Sequence, residues 1–285
     1  MRTDLLKRIL AVPTCSRREH RMVDFLLEHV RQRGPELCGV ATADSWKNVL
    51  IRKADIEPMP LVCAHIDSVF DWVEVEIVQQ DGLLVGFDRS GRQSGIGADD
   101  KCGILLCLEL LERFDNIAVA LFAQEEIGYI GAQNAKAEFF LNIGYAVEFD
   151  CPATGLVSYS AGGQRLFQND GDFIRVAMPV LERFGFTNLQ HHPFTDVTGL
   201  RKRFPISCLN VSCGYYGWHS DTEYVNIADV ETSLTLATEL IAALGNRRYD
   251  FDASKPDTAA PPMEVTELRL PITHDRSKNT LCTRR

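Results

Sequence analysis

No apolar run in the sequence approaches the roughly 20 residues that a membrane-spanning helix needs, so no membrane partner is expected. Basic charge is in the minority. Thirty Lys and Arg stand against 39 Asp and Glu, a formal net charge of −9. No basic stripe is left to neutralise phosphates, which argues against nucleic acid as a partner. The nine cysteines are odd in number, include no C-x-x-C pair and follow no disulfide-framework spacing. The opening stretch Met1–Leu10 is amphipathic and broken by charge, without the apolar region of a signal peptide. A reducing cytoplasm is the expected location. Internal repeats and low-complexity tracts are absent from the body of the chain. What is present is a 285-residue chain, 45% hydrophobic and 24% charged, able to bury a large core.

Strand and helix patterns alternate over about the first 245 residues. Helical periodicity covers 18–33 and stops at Gly34-Pro35. Leu61–Ala64 is a short apolar strand ending at His65. Residues 73–80 and 83–87, separated by Asp81-Gly82, have the form of a β-hairpin. Helices are expected over 100–114, 130–140, 173–184 and 228–244, and strands over 117–124, 145–149 and 206–211. This β-α-β-α order predicts an α/β fold: one three-layer α/β/α domain with a mostly parallel mixed sheet. Residues 246–285 carry Pro256, Pro261, Pro262 and Pro271 and no sustained period. They are expected to form an extended, mobile or peripherally docked tail on a catalytic domain of residues 1–245.

Chemistry-bearing residues gather at strand ends and helix starts. The apolar run Ile117-Ala-Val-Ala-Leu-Phe-Ala-Gln124 has the character of a buried strand and leads straight into Glu125-Glu126. Desolvating an ionised carboxylate costs several kcal/mol. Two carboxylates at the carboxyl end of a core strand therefore call for cations, at the end of the sheet where open α/β folds place ligands. Such close acids suggest a division of labour, one holding metal and one acting as general base. His65-Ile66-Asp67 offers an imidazole, with a carboxylate on the same side of an extended chain that can fix its tautomer. In Gly95-Ile-Gly-Ala-Asp99-Asp100-Lys101, glycines permit a sharp turn before a helix. One Asp there can serve as N-cap, but capping needs only one, and the other could bridge two cations. Glu148-Phe-Asp150 closes an apolar strand with both acids on one face. Gly217-Trp-His219-Ser-Asp221-Thr-Glu223 precedes the last helix. His191 and His192, before Pro193, lie near a possible specificity loop; His20, His29 and His274 receive no role.

In order along residues 55–245, the series H-x-D, G-A-D-D-K, E-E-I-G, E-F-D and W-H-S-D-x-E resembles the co-catalytic dizinc exopeptidases and amidohydrolases. That superfamily includes bacterial zinc aminopeptidases, glutamyl aminopeptidases, tripeptidase T and aminoacylase-type deacylases. The resemblance implies a fold of the zinc-exopeptidase (phosphorylase/hydrolase-like) type and two Zn²⁺ ions, with Co²⁺ or Mn²⁺ as substitutes. It implies His65 and Asp150 on one metal, Glu126 and His219 on the other, and Asp99 bridging. Glu125 would be the general base, Asp67 would orient His65, and a cis peptide would follow Asp99. Tyr216 and Tyr215 stand near the last His as candidate oxyanion or substrate contacts, with Trp218 close by.

Relatives of the deacylase, carboxypeptidase and tripeptidase branches carry a lid or dimerisation domain before the final His, and glutamyl aminopeptidases carry an insertion after the first. The stretches 151–218 and 66–98 are too short for either, so a compact, monomeric aminopeptidase or dipeptidase is expected, acting on a peptide or amino-acid amide. The wording of the G-A-D-D-K and E-E-I-G motifs is nonetheless closer to tripeptidase T and the glutamyl enzymes. An N-acyl amino acid deacylase and a non-catalytic binding protein on the same fold are the alternatives.

Overall fold

In a computed structural model the described residues are 1–34, 40–54, 56–70, 74–255 and 260–267. The strand that precedes the paired glutamates is β7 (Ala118–Phe122), every residue of which is buried. It lies beside β3 (Met59–His65), and β3 lies beside β8 (Ile143–Cys151); both of these are also buried throughout. Continuous apolar runs of this kind are what a strand covered on both faces requires. β7, β3, β8 and β12 (Cys208–Ser212) run parallel and form the middle of a ten-stranded sheet. On one side β2 (Val49–Arg52) and β1 (Val40–Ala43) add antiparallel strands. On the other side β9 (Leu156–Ala161) is antiparallel to β12 and parallel to β11 (Asn188–His192), with short β10 (Gln164–Arg165) against β9.

Helices flank this sheet. α3 (Ala98–Arg113) packs on β3, β7 and β8 and is covered by α1 (Thr3–Leu10) and α7 (Ile227–Leu244), with α5 (Asp172–Arg183) beyond α7. α2 (His20–Arg33) covers β1 and β2, while α6 (Asp196–Arg203) packs on β3, β8 and β12 with α4 (Ile130–Asn134) beside it. The expected α/β/α architecture with a mostly parallel mixed sheet is therefore present, together with a small antiparallel sheet. In that second sheet β4 (Glu76–Gln80), β5 (Leu83–Phe87), β14 (Tyr224–Asn226) and β13 (Tyr215–Tyr216) are neighbours in that order, with β6 (Gln93–Ser94) against β5. The hairpin turns through Asp81 and Gly82, both at positive φ (51° and 79°), the two-residue geometry that matches strand twist. The start of the expected hairpin at 73 lies outside the described residues. None of the described helices is long and apolar enough to cross a membrane.

Several expected boundaries move. The helix expected over 130–140 ends at Asn134; Ala135 is extended, and a separate 3₁₀ turn spans Ala137–Phe140. Arg203 explains the break: its guanidinium donates to Ala132 O (2.8 Å) and Ala135 O (2.6 Å), taking carbonyls that a longer helix would have used. α3 begins formally at Ala98, but Asp99 and Asp100 have non-helical backbone angles. The stretch between Asp150 and His219 builds no separate domain. Its strands β9, β11 and β12 join the main sheet. In the C-terminal segment, Tyr249 and Phe251 are buried, Asp250 forms a bridge with Ile206, and Arg201 stacks on the Phe251 ring at 3.5 Å. β15 (Val265–Glu267) extends the main sheet by pairing parallel to β11. Residues 256–259 and 268–285 of the expected tail lie outside the described residues.

Candidate metal centre

Because β7, β3 and β8 are parallel, their carboxyl ends emerge on one edge of the sheet, where ligands of open α/β folds collect. β3 ends on His65, β8 carries Asp150 as its next-to-last residue, and Glu125-Glu126 follow β7 by three residues. The turn before α3 brings Asp99 to the same place, and the loop between β13 and β14 brings His219.

The side chains form two groups that share Asp99. His65 Nε2 lies 3.0 Å from Asp99 Oδ1 and 3.4 Å from Asp150 Oδ1. His219 Nε2 lies 3.3 Å from Asp99 Oδ2 and 3.0 Å from Glu126 Oε2. One carboxylate thus turns an oxygen to each imidazole. Within each triad, His65–Asp99–Asp150 and Asp99–Glu126–His219, donor atoms lie within 4.8 Å of one another. Glu125 belongs to neither triad. It is buried, with Oε2 4.0 Å from His65 Nε2.

The turn before α3 settles how its two acids divide. Asp100 accepts from Gly103 N (3.0 Å), the role of a helix cap, and also from His65 N (3.2 Å). Asp99 is thereby released toward the histidines, and the Asp99–Asp100 peptide is cis, as the motif resemblance leads one to expect. Gly103 has to be glycine: a Cβ there would sit 2.5 Å from the Asp100 carboxylate and 2.5 Å from Phe149 O.

Asp67 meets His65 first through its backbone carbonyl. His65 Nδ1 faces the Asp67 carbonyl at 3.2 Å and its Oδ1 at 3.6 Å. The Asp67 carboxylate also accepts from Glu125 N (2.9 Å), Glu126 N (3.3 Å) and Ser16 Oγ (2.6 Å). It therefore ties the paired glutamates to β3. Two site residues adopt left-handed backbone despite carrying side chains: Gln124 (φ 60°), just before the pair, and His219 (φ 59°). Each such residue costs on the order of 1–3 kcal/mol and persists only where its surroundings hold it.

Electrostatics favour cations here. Burial pushes the carboxyls of Glu125 and Asp150 well above their ordinary range and raises that of Glu126. Burial opposes charge on the imidazoles too, but the surrounding carboxylates overrule it. His65 is raised well above its ordinary value through Asp150, Asp67 and Asp99, and His219 is pushed up to about 11 by Glu126 and Asp99. Asp99 is held below the carboxylate range, its burial outweighed by hydrogen bonds to both histidines. Two imidazoles cannot balance so many buried acids. The donors, imidazole nitrogen and carboxylate oxygen, suit Zn²⁺ and its first-row neighbours, and two triads with a shared carboxylate fit a pair of ions.

Comparison with known proteins divides sharply between sequence and structure. No family profile matches the chain, and no curated protein matches it by sequence. Solved structures do match. Aminopeptidase PepT from Bacillus cereus superposes with a TM-score of 0.69 over 85% of this chain and 97% of that one, at 13% identity. A Staphylococcus aureus tripeptidase gives 0.68 over 85% and 98%, at 12% identity. The TET1 peptidase of Pyrococcus horikoshii gives 0.61 over 84% and 98%, at 16% identity. The fold is that of the zinc exopeptidases. At such low identities the fold is what the proteins share, and the chemistry of this chain rests on its own residues.

The remaining candidates are engaged elsewhere. The Tyr215 hydroxyl is buried and donates to Asp150 O (3.3 Å). The Tyr216 hydroxyl donates to Asp229 Oδ2 (2.6 Å), with its ring stacked on Tyr224. Both hydroxyls are hydrogen-bonded within the protein. His192 Nε2 lies 3.6 Å from Cys151 Sγ, and His191 Nδ1 bonds Ser160 Oγ at 2.6 Å. Among the buried acids near the centre to which the sequence gives no role are Glu148 and Glu223. Glu148 accepts from Asp196 N (3.2 Å) and Val197 N (3.1 Å), fastening the start of α6 to β8. Glu223 accepts from the turn that carries Asp99. Each sits inside a noticed motif, E-F-D and W-H-S-D-x-E, but its partner is remote in sequence.

Proposed function

We propose that this protein is a dimetal hydrolase of peptide bonds, an aminopeptidase or dipeptidase with two Zn²⁺ ions for which Co²⁺ or Mn²⁺ can substitute. The observation that carries the proposal is the pair of triads sharing Asp99, with a buried acid beside them that belongs to neither. His65 and Asp150 would hold one ion, Glu126 and His219 the other, and Asp99 would bridge. Bound there, the ions supply Lewis acidity to the substrate carbonyl and acidity to a water.

The chain's own residues do the rest. Glu125 takes the proton of the attacking water and returns it to the leaving amine. Its buried position, within 4.0 Å of His65 Nε2, keeps it next to the ligands. Asp67 aligns His65 and grips the backbone amides of Glu125 and Glu126, so base and ligand keep their spacing. A reducing cytoplasm fits the thiols: the seven cysteines of the described residues are buried and unbridged.

Glu125→Gln tests the division of labour. The variant should retain about two ions per chain and lose turnover at least about 100-fold, since a positioned general base contributes roughly 10²–10⁴-fold. Loss of metal with the change would make Glu125 a ligand and end the proposed assignment. A panel of aminoacyl-anilides and N-acetyl amino acids tests the substrate class. Hydrolysis of the free-amine substrates is expected, and turnover of acylated ones alone would move the protein to the deacylases.

A further inference from the structure

Glu223 is fully buried, four residues after His219, and its carboxylate leaves its own loop to grip another. Oε2 accepts from Ile96 N and from Gly97 N, each at 2.7 Å, and Oε1 accepts from Asp99 N at 3.3 Å. Three successive hydrogen bonds to the turn 96–99 thus come from one side chain in the loop that carries His219. That loop is short and closed. Glu223 N donates to Ser220 O (3.2 Å), and Ser220 Oγ donates to Gly217 O (2.6 Å). The turn it grips is equally constrained. Gly97 has φ 61°, and Lys101 Nζ donates from the other side to Ile96 O (2.8 Å) and Leu10 O (3.0 Å).

We infer that Glu223 is a positioning residue that sets the distance between Asp99 and His219 and so tunes cation affinity in the triad Asp99–Glu126–His219. The inference rests on the dimetal reading of the centre. The physical reason is the origin of the ligands. His65 and Asp150 stand on paired strands, whose spacing the sheet dictates. His219 and Asp99 stand on two loops, and beside the direct His219–Asp99 contact the Glu223 carboxylate ties the backbone of the Asp99 turn to the His219 loop. Groups that orient metal ligands from behind are worth roughly 10–100-fold in affinity.

The test uses the full chain, stripped of metal and titrated with Zn²⁺ in the wild type, Glu223→Asp, Glu223→Gln and His219→Ala. The step lost in His219→Ala identifies the triad Asp99–Glu126–His219, here the outer one, and the remaining step belongs to the inner triad His65–Asp99–Asp150. Glu223→Asp keeps the charge but draws the carboxylate back by one methylene; Glu223→Gln keeps the length but turns an amide donor toward N–H groups. Both should weaken the outer step about 10–100-fold and leave the inner step unchanged. In the metal-free protein, both should also speed amide exchange at Ile96 and Gly97. A Glu223→Asp that binds both ions like the wild type, or variants that weaken both steps equally, would overturn the inference, since charge alone or general loosening would then suffice. Circular dichroism checks folding, and if Glu223→Gln does not fold, Glu223→Asp decides by the same criteria. A wild type that takes up no Zn²⁺ would instead bring down the dimetal reading, and this inference with it.

Discussion

The two halves of the candidate centre are built differently. The inner triad is a product of the sheet. His65 and Asp150 sit on adjacent parallel strands, and the His65 side chain is 1% exposed. The outer triad is a product of loops. His219 has left-handed backbone, its side chain is 25% exposed, and its geometry depends on turns tied together by Glu223. A strand pair holds its spacing through many shared hydrogen bonds, whereas a loop holds it through a few identifiable ones. The inner half should therefore resist perturbation, and the outer half should be open to tuning and exchange.

The largest effect should come from removing what the halves share. Asp99→Ala should abolish uptake of both ions in equilibrium metal analysis and take turnover below detection. Retention of one tightly held ion would show that the halves are independent. Next, His65→Ala and His219→Ala should differ in what they do to the metal-free fold. Removing His65 leaves Asp99 and Asp150 without their buried partner and should cost roughly 3–5 kcal/mol in denaturant unfolding. Removing the partly exposed His219 should cost clearly less, and equal losses would erase the contrast. Gly103→Ala drives a Cβ into Asp100 and the Phe149 carbonyl, a forced repacking worth about 1–3 kcal/mol. Because Asp100 braces the His65 amide, the inner step of a Zn²⁺ titration should weaken more than the outer.

The smallest effect is a pH dependence of the metal-free protein. Both histidines have folded pKa values raised above the ordinary imidazole value of 6.5, His219 to about 11. Groups of this kind lend stability fully below the unfolded pKa and lose it as pH rises through the folded one. The raised carboxyls of Glu125 and Asp150 act in the same direction, from their ordinary carboxylate range upward. The midpoint of thermal unfolding should fall between about pH 6.5 and pH 11 when metal has been removed. With Zn²⁺ bound the slope should flatten, and a slope indifferent to metal would count against a shared set of groups.

Much of the site could be read from local pattern because its inner residues end apolar strands. An acid pair after a run such as 117–124 has few bland explanations, whereas a lone imidazole after 61–64 is commonly structural and gains meaning from the motifs that follow it. The outer residues were readable only as motifs in series. Residues that hold the site in place escaped notice wherever their partners are distant: Glu223 meets a turn more than a hundred residues earlier, and Glu148 meets the start of α6. β9 and β11 were missed because they are short and rich in polar residues, with Ser158, Ser160, Gln190 and two histidines among them. The helix at 130 was overextended because periodicity cannot foresee Arg203 taking its carbonyls.

Order along the chain, strand polarity and the chemistry of the donors were thus determined by sequence alone, since apolar periodicity and residue type act locally. Tertiary structure decided where each acid of a pair is placed. Asp100 became the cap and Asp99 faced the histidines; Glu126 met His219 while Glu125 stayed outside both triads. Neighbouring carboxylates are chemically alike, and only the surrounding backbone donors, imidazoles and burial make them different.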